Sequence, residues 1–217
     1  MPNRVVLCGF LGVVLLAGLA WRHQAASRAA QQVSAPTIDK QAPVFAMHTF
    51  DPAAPSAGMP PLTAGEEAEC DSNFVSNASV KGQPERIDAT HAVVTVTEIK
   101  VTLQLEVNIW VPVGATRHVI EHEQGHRQIS EHYYRSADKA AEQTAAAYMG
   151  RTVSISGADL GAEVEKLLKK IGADINNEYH ERLNPGPAQE RYDEITDHSR
   201  NEAAASDAVA QALREIH

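Results

Sequence analysis

The chain has 217 residues, 43% of them hydrophobic and only 5% aromatic, enough for one folded domain with some chain to spare. A formal net charge of −9 with no basic cluster speaks against a nucleic-acid partner. Composition demands no cofactor, but ten histidines is a high count, and His118, His122, His126 and His132 crowd into one short stretch.

Residues 1–23 read as a secretory signal peptide or an uncleaved signal anchor. Arg4 supplies the positive start, Val5 to Trp21 run without a charge, and Arg22 and His23 close the segment. Gly18-Leu19-Ala20 offers small residues for cleavage after Ala20, while residues 5–21, uncleaved, suit attachment to the inner membrane. Either outcome makes the rest extracytoplasmic, periplasmic or secreted. Residues 24–65 hold six of the eleven prolines and show no sustained period, so a flexible Ala/Pro-rich linker is expected there. The folded domain is expected over 66–217, beginning near Glu66 to Cys70. With Cys8 in the leader, Cys70 stands alone, which excludes a disulfide-stapled scaffold.

The cleanest period-two pattern follows. Val93, Thr95, Thr97, Ile99, Val101, Leu103, Leu105, Val107, Ile109 and Val111 alternate with mostly polar partners, which predicts a sheet with one buried face. The run exceeds a usual strand, so two strands or one long bent strand are expected, ending at Pro112 and Gly114. The period then turns helical. At 100° per residue, Val119, His126, Ile129 and Tyr133 share a face with His122, so a helix is predicted from near Thr116. Alanine-rich sequence carries it to Met149, and Gly150 ends it. A second helix is predicted over about 158–182, stopped by Asn184-Pro185-Gly186-Pro187, and a last one over 188–216.

His122-Glu123-Gln124-Gly125-His126 is the pattern H-E-x-x-H. Residues four apart on a helix lie one turn above each other, so both imidazoles can reach one ion. Zinc takes imidazole nitrogen, and a catalytic site keeps three protein ligands and one open position. Glu123 sits where it reaches a water without binding the ion, as a general base does. An edge strand ahead of such a helix is the arrangement that zincin-type peptidases use. The bland alternative is a histidine pair that is merely solvated or hydrogen-bonded.

The third ligand is open at this point. His132 completes the spacing of a metzincin signature, but Ile129 stands where those enzymes turn the chain at glycine, and a continuous helix carries His132 too far along its axis. Glu142 has the same difficulty. Further on, Tyr192-Asp193-Glu194-Ile195-Thr196-Asp197-His198 packs polar and acidic residues tightly.

Taken with Glu121-His122-Glu123-Gln124-Gly125-His126, that segment resembles the bacterial family of predicted secreted zinc-dependent proteases known as domain of unknown function 922. The resemblance covers roughly residues 70–215; Ile195 and Ser199 depart from the family's usual glutamate and glycine. It implies His198 as the third zinc ligand. It gives Tyr192 a role steadying an oxyanion or, with Asp193, orienting ligands.

The expected fold is α+β and zincin-like: a small, mostly antiparallel sheet packed on the H-E-x-x-H helix, plus further helices. The expected function is an extracytoplasmic zinc metallopeptidase acting on a peptide or protein substrate. Zn2+ would sit on His122, His126 and His198, with Glu123 as general base and Tyr192 assisting. The alternative is a non-catalytic, metal-stabilised envelope binding protein.

Overall fold

The long alternating run forms one strand, β4 (His91–Pro112). Ile99, Val101, Leu103, Leu105, Val107, Ile109 and Val111 are buried on one face, as the pattern requires. Ahead of Ile99 the phase slips, and Val94 and Val96 are buried in place of Val93, Thr95 and Thr97. The cause is a bulge. Lys81 faces Glu98 and Gly82 faces Val96, which leaves Thr97 as the extra residue that bends the strand and reverses its faces.

The structure is a computed structural model and describes residues 34–56, 58–62 and 65–216. The leader expected at 1–23 lies outside those residues. Among the described residues no helix is long and apolar enough to cross a membrane.

Strand β3 (Glu69–Arg86) runs antiparallel to β4 along one edge. Three short strands share the other edge: β1 (Thr37–Lys40) and β2 (Val44–Phe50) run parallel to β4, and β5 (Thr152–Ser156) runs antiparallel. The result is a mixed five-stranded sheet. Two of its four pairings are parallel, which corrects the expectation of a mostly antiparallel sheet. Both parallel strands come from the stretch expected to be a linker, and the folded unit begins at Ser34 rather than near Glu66. Pro36 and Pro43 sit immediately before β1 and β2, where a missing N–H removes no ladder bond.

Helix α1 (Arg117–Tyr134) starts where the sequence marks it, with Thr116 Oγ1 accepting the Val119 N–H at 3.3 Å. It stops at Arg135, and α2 (Ala137–Ala146) follows as a separate element. Helix α3 (Leu160–Arg182) is capped by Asp159 and lies close on β3; a Cβ at Gly172 would stand 2.8 Å from Ala78 O. The expected last helix is two: α4 (Gly186–Thr196) and α5 (Ala205–Glu215). Asp197, His198 and Ser199 break it, with φ of 47°, 53° and 62°.

Two apolar clusters result. The larger joins the buried face of β4 to Tyr134, Ala137, Ala141, Ile171, Ile175 and Tyr179. The smaller, Ile129, Ala188, Tyr192, Ala208, Val209 and Ala212, holds α4 and α5 against α1. Helix α1 therefore has packed neighbours on both sides, which buries His122, Glu123, Gly125, Ile129 and Ser130.

Candidate metal centre

His122 and Glu123 are each 2% exposed, and His126 is little more open. Their helix turn faces a cleft of about 260 Å³, walled by Glu69, Cys70 and Ser72 of β3 and by Gln189 and Asp193 of α4. His122 Nε2 and His126 Nε2 are 3.2 Å apart. Asp193 Oδ1 lies 2.8 Å from His126 Nε2 and 3.4 Å from His122 Nε2.

Those three spacings suit a ligand set as well as a hydrogen-bonded cluster. Bonds of about 2.0–2.1 Å to a tetrahedral ion place neighbouring donor atoms about 3.3 Å apart. The observed separations bracket that value. Asp193 Oδ1 is also buried without a hydrogen-bond partner, because both ring nitrogens approach it off the hydrogen-bonding direction. Three donor atoms facing a common point have this geometry. The donor set, two imidazole nitrogens and a carboxylate oxygen, suits zinc.

The surroundings fix the two histidines. His126 Nδ1 and Gln189 Oε1 are 2.7 Å apart. The Gln189 amide nitrogen donates to His126 O at 3.1 Å and to Ser130 Oγ at 2.9 Å, so its oxygen must face the ring. His126 Nδ1 is then the nitrogen that donates to Gln189, and Nε2 is the one turned to the cleft. Tyr192 is fully buried, stacks on the His122 ring at 5.0 Å, and donates its hydroxyl to His122 O at 3.1 Å. Gly125 is required for this contact, since a Cβ there would fall 2.2 Å from the Tyr192 hydroxyl oxygen.

The electrostatics follow from burial and charge. Burial pushes the Glu123 carboxyl up to about 8; His126 pulls it down, and Glu66, Glu69 and Asp193 push it further up. Burial works to lower His126, but contact with Asp193, then the charge of Glu123, carries it to about 9. Burial works to raise Asp193, yet His122 and His126 hold it well below the usual carboxylate range. Cys70 is pushed up to about 12, by burial first and Glu123 second.

Of the residues singled out from sequence, His122, Glu123 and His126 come together as expected. The third member of their set is Asp193 rather than His198. The left-handed turn after Thr196 directs His198 to Glu66, whose carboxylate its Nδ1 contacts. Tyr192 has its hydroxyl committed to the helix backbone, away from the cleft, so it orients His122 and leaves no donor for an oxyanion. Because α1 continues unbroken past Ile129, His132 joins none of the clusters able to hold an ion among the described residues. Glu142, on α2, joins none either. Sequence reasoning missed Gln189 and Glu66 entirely. Nothing in a lone Gln or a Glu-Glu pair marks either one, and only tertiary packing brings them to α1.

No family model, no curated protein and no solved structure matches this chain.

Proposed function

We propose that this protein is an extracytoplasmic zinc-dependent metallopeptidase with a zincin-like arrangement of strand, H-E-x-x-H helix and later ligand. The observation that carries this reading is the convergence of His122 Nε2, His126 Nε2 and Asp193 Oδ1 on one point at the floor of a cleft. These three residues would hold the ion. When bound, zinc would polarise a substrate carbonyl and acidify a coordinated water.

The chain's own residues supply the rest. Glu123 lines the cleft beside the histidines, where its carboxylate would take a proton and return it to a leaving amine. Gln189 and Tyr192 are positioning residues that hold His126 and His122. Strand β3 supports a peptide as substrate. It pairs with β4 on one edge and with no other strand among the described residues, and its first residues wall the cleft. An extended peptide can add to such an edge by main-chain hydrogen bonds.

Glu123→Gln should lower hydrolysis of a quenched fluorogenic peptide library by about 10²–10⁴-fold while leaving zinc bound. Hydrolysis at the parent rate in that variant would remove the mechanism. The cleft's size favours the second reading, a non-catalytic, metal-stabilised envelope protein: about 260 Å³ is small beside the roughly 300–1,000 Å³ of typical ligand sites. Under that reading the parent binds zinc and cleaves no member of the library.

A further inference from the structure

We propose that Ser72 of β3 is a substrate-binding residue, whose hydroxyl donates to a carbonyl oxygen of a peptide lying in the cleft. The inference rests on the peptidase reading and deepens it, by naming a group that holds the substrate.

Hydrogen-bond direction carries the argument. Ser72 lines the cleft with Glu123, His126 and Asp193, and it ends a chain of polar contacts that starts at His126. His126 Nδ1 donates to Gln189 Oε1 at 2.7 Å, and the Gln189 amide nitrogen donates to His126 O at 3.1 Å and to Ser130 Oγ at 2.9 Å. Ser130 is fully buried, so its own hydrogen must find an acceptor within the protein. Two are in reach, His126 O at 3.2 Å and Ser72 Oγ at 2.9 Å. His126 O already accepts from Gln189, and because α1 runs on through Ser130 it takes the helix bond as well, which fills both its lone pairs. The Ser130 hydrogen therefore goes to Ser72 Oγ, the shorter contact.

Ser72 is thus an acceptor on its protein side, and its own hydrogen is left to place. Among the described residues its one other side-chain contact is Cys70 Sγ, at 3.9 Å. Sulfur accepts weakly and that separation is long, so the hydroxyl keeps its donor for an occupant of the cleft. Every bond in the chain runs the same way, from the His126 ring through Gln189 and Ser130 to Ser72. Hydrogen bonds aligned head to tail polarise one another, which makes the last hydroxyl a better donor than an isolated serine. The occupant that fits a neutral donor is a carbonyl oxygen, the acceptor that every residue of a peptide carries. Ser130 and Gln189 are positioning residues in this arrangement, and Ser72 is the member that touches substrate.

The test uses the full chain loaded with Zn2+ and the best-cleaved member of a quenched fluorogenic peptide library, made also with a single thioamide at each position in turn. Ser72→Ala should raise KM about 3–10-fold with kcat unchanged. In the parent, one thioamide position should raise KM by a similar factor, because sulfur accepts poorly. In Ser72→Ala that same thioamide should have no further effect, since the carbonyl and the hydroxyl are partners. Zinc affinity, read by competition with a chromophoric chelator, should be equal in the two proteins. An unchanged KM in Ser72→Ala, or no thioamide position whose effect depends on Ser72, overturns the assignment and leaves the peptidase reading standing. Zinc held about tenfold more weakly by Ser72→Ala overturns it too, because Ser72 then supports the metal centre through Ser130. A parent that holds zinc and cleaves no member of the library overturns the peptidase reading and this assignment together. Should Ser72→Ala fail to fold, Ser72→Cys, close in size and a weak donor, takes its place in the same comparison.

Discussion

The two apolar clusters that share α1 differ in what they are made of. The cluster on β4 is built from large aliphatic and aromatic side chains contributed by β3, β4 and the first three helices. The cluster holding α4 and α5 has six buried residues, and three of them are alanine. Fully burying a leucine or valine side chain is worth about 1.5–3 kcal/mol, while an alanine methyl gives well under half of that. The β4 core therefore needs no help, whereas α4, which carries Asp193 and Gln189, is held to α1 mainly by Tyr192 and the polar contacts of the site. An ion on His122, His126 and Asp193 would do structural as well as chemical work: it would join the thinly packed helix to the well-packed one.

The largest effect expected from breaking this comparison is in the main core. Leu105→Ala should cost about 2–5 kcal/mol in denaturant unfolding, spread over the whole domain. A loss under about 1 kcal/mol would mean that β4 is not the principal core.

Removing metal should act on the other side only. On chelation, amides of α4 and α5 should exchange at least tenfold faster by hydrogen–deuterium exchange, with those of β4 unchanged. Equal acceleration in both regions would erase the distinction between the clusters.

The pH response sharpens it further. Glu123 and His126 both bind their protons more tightly folded than unfolded, at about 8 against 4.5 and about 9 against 6.5. Their stabilisation of the metal-free protein is complete below those lower values and is lost as pH rises through the higher ones. Asp193 acts oppositely, stabilising above its ordinary 3.8 and failing as pH falls. The Tm of the metal-free protein should fall steadily from pH 6 to pH 9. With zinc bound the imidazoles are already neutral, so that slope should flatten, and zinc should leave on acidification through about pH 6. A flat metal-free profile would contradict the burial argument.

The smallest effect concerns the turn after α4. Ser199 holds a left-handed φ of 62°, which costs a non-glycine residue about 1–2 kcal/mol. Ser199→Gly should relieve it, less the glycine entropy cost of about 0.5–1 kcal/mol, and raise Tm slightly. A fall in Tm would show that the serine side chain is needed there.

How much of this was legible in the sequence divides along the same line. The spacing of Val119, His122, His126 and Ile129 exposes α1, because its inward face keeps one helical period. The alternation of β4 exposes the sheet but not its bulge, since Thr97 looks like any other strand residue. Strand β3 is hidden by its polar face and by Gly82 and Pro84. Strands β1 and β2 are hidden by prolines that flank them and read as linker. The turn at Asp197 to Ser199 carries neither glycine nor proline, the usual marks of a helix end, so α4 and α5 read as one helix. Asp193 reaches the two histidines only when the small cluster folds α4 onto α1, and no local pattern announces that.

The most direct measurement is an anomalous difference map at the zinc edge, from crystals of the chain grown with zinc. The account predicts a peak about 2.0–2.2 Å from His122 Nε2, His126 Nε2 and Asp193 Oδ1. No peak between the two histidines, or one bound by His198 in place of Asp193, would contradict it.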